Sequence, residues 1–197
     1  YVGVDYAATM VAACQKRFPS ASQALQFAVC DARDMSQFSD DSFDLILFSF
    51  NGIDYSSHGD RFKIFQEVSR VGKSGGYFCF SSHNLQAMER EFNWRTQMSL
   101  NPVVTYTNLM MLALLRLFNR SLTLTQLQTS THATLVDESH NFQLETYYIR
   151  PQAQVNQLQS NFDHIRVFSW TSGLEITEEN QWRSNTDMWL YYLCTIK

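Results

Sequence analysis

The sequence predicts an α/β fold built on a doubly wound, mostly parallel sheet. Three observations carry that prediction. Short apolar runs alternate with helix-period segments from Tyr1 to Asn84, turn residues separate them, and acidic residues stand where successive strands end. The first element is Tyr1–Val4, a strand that runs into Asp5. Ala8–Phe18 follows as a helix, with Met10, Val11, Cys14 and Phe18 on one face and Pro19-Ser20 at its end. Leu25–Cys30 reads as a second strand, stopped by Asp31. Leu45-Ile-Leu-Phe-Ser-Phe50 is almost wholly apolar, as suits a central parallel strand covered on both faces. Arg61–Val71 is helical, with Phe62, Phe65 and Val68 at helical spacing, and Gly75-Gly76 turns the chain into the strand Tyr77–Ser81.

Beyond Asn84 the pattern changes. Residues 86–150 read as an inserted cap. It holds the amphipathic stretch around Phe92 and Trp94, an apolar helix over Asn108–Phe118, and two strands, Thr131–Val136 and Phe142–Ile149, about a polar turn Asp137–Asn141. The apolar helix is best explained as cover for the sheet, with a pocket wall or a homodimer contact left open. The cap's aromatics (Phe92, Trp94, Tyr106, Phe118) suggest a partly apolar small-molecule pocket. Pro151 starts a helix at the one position that needs no N–H partner, with Val155 and Leu158 inward. His164–Trp170 and Met188–Lys197 read as closing strands.

Composition narrows the function. With 197 residues the chain is one domain, and 45% apolar content with 15 Phe places it among globular chains. Net charge is -4 with no basic run, which disfavours a nucleic-acid partner. The longest apolar run, Leu109–Leu115, is shorter than the ~20 residues a bilayer span needs. Cys14, Cys30, Cys79 and Cys194 are widely spaced and read as reduced, buried thiols of a cytoplasmic protein. The five His and four Cys show no metal-ligand spacing.

In an open parallel sheet, ligands sit beyond the carboxyl ends of the strands. Asp5, Asp31 and the segment Ser49–Asp54 all fall there. A carboxylate so placed can accept from a ribose diol, and one a βα unit later from an adenine amino group, although a lone Asp is also an ordinary helix-start residue. With the phrases GVDYAATM (3–10), CDARDM (30–35), DDSFDLILFSFNGIDY (40–55) and RVGKSGGYFCFSSHN (70–84), the sequence resembles the class I S-adenosylmethionine-dependent methyltransferases. The resemblance implies a Rossmann-like sheet with an antiparallel C-terminal strand, and S-adenosylmethionine as cofactor. It implies that Asp5 binds the ribose hydroxyls with Tyr6 on the adenine and Met10 nearby. Asp31 and the backbone of Ala32 would take the adenine edge, and Ser49 and Phe50 would lie beneath the methionine part.

Three departures from the family pattern matter. Ala7 stands where a capping Ser is usual, and Arg70-Val-Gly-Lys-Ser-Gly-Gly76 replaces the usual R-V-L-K-P-G-G. The family's first strand and its G-x-G-x-G loop are not found. The expectation is that they lie upstream of Tyr1, between the strands ending at Asp5 and Ser49, where two apolar strand edges would otherwise stay unpaired.

Methyl transfer needs positioning, and a base only where the acceptor must lose a proton. Asn51, Asp54, Tyr55 and His58 follow the third strand and are candidates for a small-molecule acceptor site, with His58 as base. His83, His140 and Tyr147 are further acceptor-site candidates. Read as residues alone, His58 also serves as a helix-start histidine, Asn51-Gly52 as turn chemistry, His83 as a strand-end residue, and Tyr147 as a sheet aromatic. Two other functions stay open: a nicotinamide-dependent oxidoreductase, because an acid at a strand end also binds ribose there, and a degenerate methyltransferase-like interaction module.

Overall fold

The computed structural model describes residues 1–19 and 24–197. Ser20, and the side chain of His140, lie outside the described residues. Val2–Asp5 (β1) and Gln26–Val29 (β2) pair in parallel through Ala8–Arg17 (α1). Of the face expected for α1 only Val11 is fully buried, and Met10 is 55% exposed. Phe43–Phe48 (β3) and Gly72–Asn84 (β4) are the next parallel pair, crossed by His58–Val71 (α2). The helix starts ahead of the sequence pattern because Ser57 caps it, its hydroxyl accepting from the Asp60 N–H. It buries Arg61, Ile64, Phe65, Val68 and Val71, a stripe at i, i+3, i+4 and i+7, and leaves Phe62 partly exposed. β4 starts earlier than the double glycine suggests, and Gly75, at φ +80°, bends the chain inside it.

The chain then runs through Leu85–Phe92 (α3), a 3-10 turn at Trp94–Gln97, Pro102–Phe118 (α4) and Leu124–Thr129 (α5). The hairpin His132–Val136 (β5) and Glu145–Ile149 (β6) follows, then Pro151–Leu158 (α6), Phe162–Ser169 (β7), Glu179–Ser184 (α7) and Trp189–Ile196 (β8). β4 is the spine of a six-stranded sheet in which β8 lies antiparallel on one edge and β3 parallel on the other. β6 pairs in parallel with His83 and Asn84 at the end of β4, while β8 pairs with His83 on the opposite edge. β6 therefore continues the edge that β3 leaves after Phe48, and the hairpin stands over the carboxyl end of β3. This is the α/β, Rossmann-like arrangement with an antiparallel last strand and a cap segment. β1 and β2 form a separate two-stranded sheet, and β1 is not hydrogen-bonded to β3.

One face of β3 and β4 carries the main core. Phe78 and Phe80 pack there with Ile64, Phe65 and Val68 of α2, Leu158 of α6 and Phe162 of β7. The segment after β2 is tied to α2: the Met35 N–H donates to Glu67 at 2.6 Å, and Arg33 pairs with Asp60. A second cluster, Leu85, Met88, Phe92, Leu115, Leu127, Leu135 and Tyr148, holds the cap together. α4 departs from its expected role as cover for the sheet. Only its Leu112 and Leu115 are buried, and Val103, Tyr106, Met110, Leu117 and Phe118 face outward. Trp94 is likewise 54% exposed, so of the four cap aromatics only Phe92 is core. Among the described residues no helix is long and apolar enough to cross a membrane. All four cysteines are free thiols, two of them buried.

Candidate active site at the carboxyl ends of the strands

Asp5 ends β1, and its Oδ1 accepts from the Ala7 N–H at 2.8 Å. This bond closes a local turn ahead of α1, which has no side-chain cap, and Oδ2 makes no hydrogen bond among the described residues. Tyr6 and Met10 stand beside it, 80% and 55% exposed. Asp31, just past β2, is engaged differently from expectation. Arg33 Nη2 lies 2.6 Å from Oδ2, the Arg33 N–H donates to Oδ1, and these bonds hold the Asp31 carboxyl below the ordinary carboxylate range. Ala32 follows in the same loop, partly buried against the core.

The turn after β3 is strained. Phe50 and Asn51 have φ of 52° and 55°, a left-handed conformation that Asn tolerates and Phe does not, at a cost of ~1–3 kcal/mol each. The Gly52 N–H closes the turn on the Ser49 carbonyl, and the Asn51 N–H donates to Ser81 Oγ on β4. Phe50 is thereby turned outward, 94% exposed, while Asn51 is buried. Two such residues in succession at the end of β3 are held by the Asn51 and Gly52 N–H bonds rather than by packing of the Phe50 ring.

Below this turn lies a polar network whose Asp54, Arg61 and Ser82 are fully buried and whose Asn51 and His83 keep a small exposed edge. Asp54, in the 3-10 turn Gly52–Tyr55, accepts four hydrogen bonds. Arg61 Nη1 at 2.7 Å and Ser82 Oγ at 2.6 Å donate to Oδ1, and the His83 N–H and Nδ1, at 2.7 and 2.8 Å, meet Oδ2. A carboxylate has nothing to donate, so His83 Nδ1 carries the proton. His83 Nε2 then faces Asn51 Nδ2 at 3.3 Å. Arg61 is wholly buried, bonded further to the Ile53 carbonyl and to Gln154, with Tyr147 stacked on its guanidinium at 4.5 Å. Among buried side-chain atoms described, Asn51 Oδ1, Arg61 Nε and Thr146 Oγ1 lack a partner.

The predicted acceptor residues thus divide. Asn51, Asp54 and His83 come together in one network, although 29 residues separate the last two. His58 lies elsewhere, on the helix side. Its Nδ1 is 2.6 Å from the Tyr147 hydroxyl, His132 stacks on its ring at 3.9 Å, and Phe62 lies edge-on. His58, Phe62 and His132 line a cavity of about 260 Å3 with Ile149, Ala153 and Gln157. Tyr147 belongs to this side too, its phenol pushed up to about 12 by burial, so it stays protonated while it hydrogen-bonds His58. Tyr148 points the other way, its ring 4.9 Å from His83 and its hydroxyl on Asp137. Tyr55 meets the β5–β6 turn through Ser139, and burial raises its phenol. His140 closes that turn, its side chain outside the described residues. Sequence reasoning missed Arg61, Ser82 and Gln154. One signal was available for the first: Arg61 stands on the apolar stripe of α2, where a solvated arginine does not belong.

A larger, polar cavity of about 520 Å3 opens between the cap and the sheet, lined among others by Arg90, Glu91, Gln97, Asn108, Trp170 and Asp187. Burial, with Glu138 nearby, raises the Glu91 carboxyl. Trp170, on the cavity wall, packs on Trp189 at 4.5 Å, and the Trp189 ring lies 6.2 Å from that of His83.

Burial lowers the pKa of both His58 and His132, with Arg61 adding to each and His58 to His132. The unfolded chain therefore takes up protons first as pH falls. The stability this stack contributes is full above the ordinary histidine range, about pH 6.5, and declines below it. Thermal melting between about pH 7.5 and 5 should show this fall, and His132→Phe, which keeps the stack, should flatten it. An equally steep fall in the variant would place the titration elsewhere.

Residues 1–80 match a family model described as a methyltransferase domain. No curated protein matches the chain. Among solved structures, it is similar to a protein from Pyrococcus horikoshii, with 17% identity and a TM-score of 0.59 over all of this chain and 71% of the other. An S-adenosylmethionine-dependent methyltransferase from Mesorhizobium loti is 16% identical, with a TM-score of 0.59 over 98% of this chain and 79% of that one. A glycopeptide N-methyltransferase solved with S-adenosylmethionine is 13% identical, with a TM-score of 0.55 over all of this chain and 72% of its own. The chain thus has the fold of the S-adenosylmethionine-dependent methyltransferases, and its first 80 residues are similar to a methyltransferase domain.

Proposed function

We propose that the protein transfers the methyl group of S-adenosylmethionine to a small-molecule acceptor by in-line displacement. The observation that carries this reading is the row of groups at the strand ends: Asp5 with one carboxylate oxygen uncommitted, exposed Tyr6, Met10 and Phe50, and the buried Asn51–Asp54–His83 network beyond them. These residues fit the cofactor. Asp5 Oδ2 is available to the ribose hydroxyls, and Tyr6 and Met10 offer apolar surface to the adenine. Ser49 and Phe50 would flank the methionine part. Asp31 and Ala32 would take the adenine edge, Asp31 with lone pairs left over from Arg33. Bound there, the cofactor supplies the electrophilic methyl carbon. The protein aligns the acceptor with it and excludes water.

The 520 Å3 cavity is of small-molecule size, which supports a small acceptor, and its polar wall favours one with hydrogen-bonding groups. The outward apolar side of α4 supports self-association as a homodimer. The nicotinamide reading finds no counterpart in the matched family.

Calorimetric titration with S-adenosylmethionine tests the proposal. Asp5→Ala should weaken binding by about 1–3 kcal/mol, the cost of leaving the ribose hydroxyls unpaired, while melting stays close to that of the parent. Unchanged affinity would remove Asp5 from the site. Absence of binding by the parent protein would favour the interaction-module reading.

A further inference from the structure

We propose that His83, oriented by Asp54, is the catalytic base, and that the acceptor's attacking atom carries a proton it must lose. This rests on the methyl-transfer reading above. Three observations support it. The first is the tautomer. Asp54 Oδ2 accepts from both the backbone N–H and Nδ1 of His83, which fixes the ring plane and leaves the lone pair on Nε2. The second is the hold on Asp54 itself. Arg61 and Ser82 occupy its other oxygen, and with both side chains buried the carboxylate cannot rotate away from the ring. The third is what Nε2 faces. Its partner is Asn51 Nδ2 at 3.3 Å, a long bond, and Asn51 Oδ1 is buried with no partner among the described residues. Asn51 belongs to the strained turn that ends β3, beside the methionine part of the proposed cofactor site.

The amide of Asn51 suits both states of the ring. While Nε2 is bare, the NH2 group donates to it. When Nε2 gains a proton, a turn of the amide presents Oδ1 as acceptor, so the orphaned oxygen acquires a partner only after proton transfer. In the step itself, the acceptor's lone pair forms the bond to the methyl carbon. The carbon–sulfur bond breaks with its electron pair retained by sulfur, which becomes a neutral thioether. The acceptor's proton passes to Nε2, the imidazolium is stabilised by Asp54, and the proton then leaves to solvent. Among the described residues His58 has no carboxylate to orient it: its Nδ1 meets the Tyr147 hydroxyl and the Gln157 amide, and His132 stacks on its ring.

Two measurements test the assignment. Ring-nitrogen NMR of the unliganded protein should show His83 protonated at Nδ1 and bare at Nε2 near neutral pH, and protonation at Nε2 alone overturns the proposal. Methyl transfer should be assayed with radiolabelled S-adenosylmethionine and three probes: catechol and benzylamine, the latter an ammonium ion near neutral pH, each of which must lose a proton, and pyridine, which has none to lose. His83→Asn keeps a donor toward Asp54 and removes Nε2. It should slow transfer to catechol or benzylamine by about 10²–10⁴-fold and leave cofactor affinity unchanged. Retention of at least half the parent rate in the variant overturns the proposal. So does a parent protein that binds the cofactor yet methylates neither proton-bearing probe. A parent protein that binds no cofactor defeats the methyl-transfer reading instead, and the ring-nitrogen result then still reports on the dyad. That result also decides the matter if His83→Asn fails to fold.

Discussion

Replacing Arg61 by Met lowers the unfolding free energy by about 3–5 kcal/mol, read from urea denaturation, because it strands the Asp54 carboxylate in a dry interior. Both side chains are fully buried, and the guanidinium is the charge that offsets Asp54. Three other donors remain on the carboxylate, two from His83 and one from Ser82, but none carries a fixed positive charge. Arg61 also bonds Gln154 and the Ile53 carbonyl, so its loss unties α2 from α6 and from the turn before it. Adding Asp54→Asn to Arg61→Met should recover part of the loss, since an amide is far cheaper to bury than a charge. A single-variant loss below about 1 kcal/mol would mean that water reaches the carboxylate.

The contrast between Arg61 and Phe62 shows where sequence reasoning stops. Phe62, Phe65 and Val68 share a helical spacing, and so do Arg61, Ile64, Phe65 and Val68. Hydrophobicity prefers the first set, and the protein buries the second. The charged member is admitted because Asp54, Ser82 and Gln154 converge on it from three other elements. That convergence is a tertiary fact with no local signature. β1, α1, β3, α2 and β4 were legible because each follows from period and turn chemistry within a dozen or so residues. The placement of β6 was not: it lies along the edge of β4 past the end of β3, a pairing across 65 residues of sequence between His83 and Tyr148.

The site divides on the same line. Its address, beyond the carboxyl ends of the strands, follows from the fold class. Its wiring does not, because rotamers and helix rotation decide it. His58 and His83 look alike in sequence, each a histidine after a strand. Only the packing puts one against Tyr147 and His132 and the other against Asp54. Asp31 shows the opposite case. Its bond to Arg33 spans two residues and was within reach of sequence reasoning, but the family resemblance drew attention to a ligand instead.

Phe65→Ala should cost about 3–5 kcal/mol of stability, comparable to the loss at Arg61 and for an unrelated reason. The ring is wholly buried, with Phe78, Phe80 and Phe162 at 6.3, 5.9 and 6.1 Å between centroids and the Arg61 guanidinium at 5.8 Å. Rings held on several sides cannot collapse into the space left, so transfer and cavity costs add. The opposite face of β3 provides the control. Leu47 alternates with Ile46 and Phe48, which pack on the core, and is itself 62% exposed. Leu47→Ala should therefore shift stability by no more than about 0.5 kcal/mol in this chain. The difference between these leucine and phenylalanine variants measures how one-sided the sheet's core is. Because the Phe65 ring also touches the Arg61 guanidinium, the Phe65→Ala and Arg61→Met losses should combine non-additively. Strict additivity would show that the aromatic cluster and the buried polar network are independent, and that the core does not brace the residues beneath the proposed site.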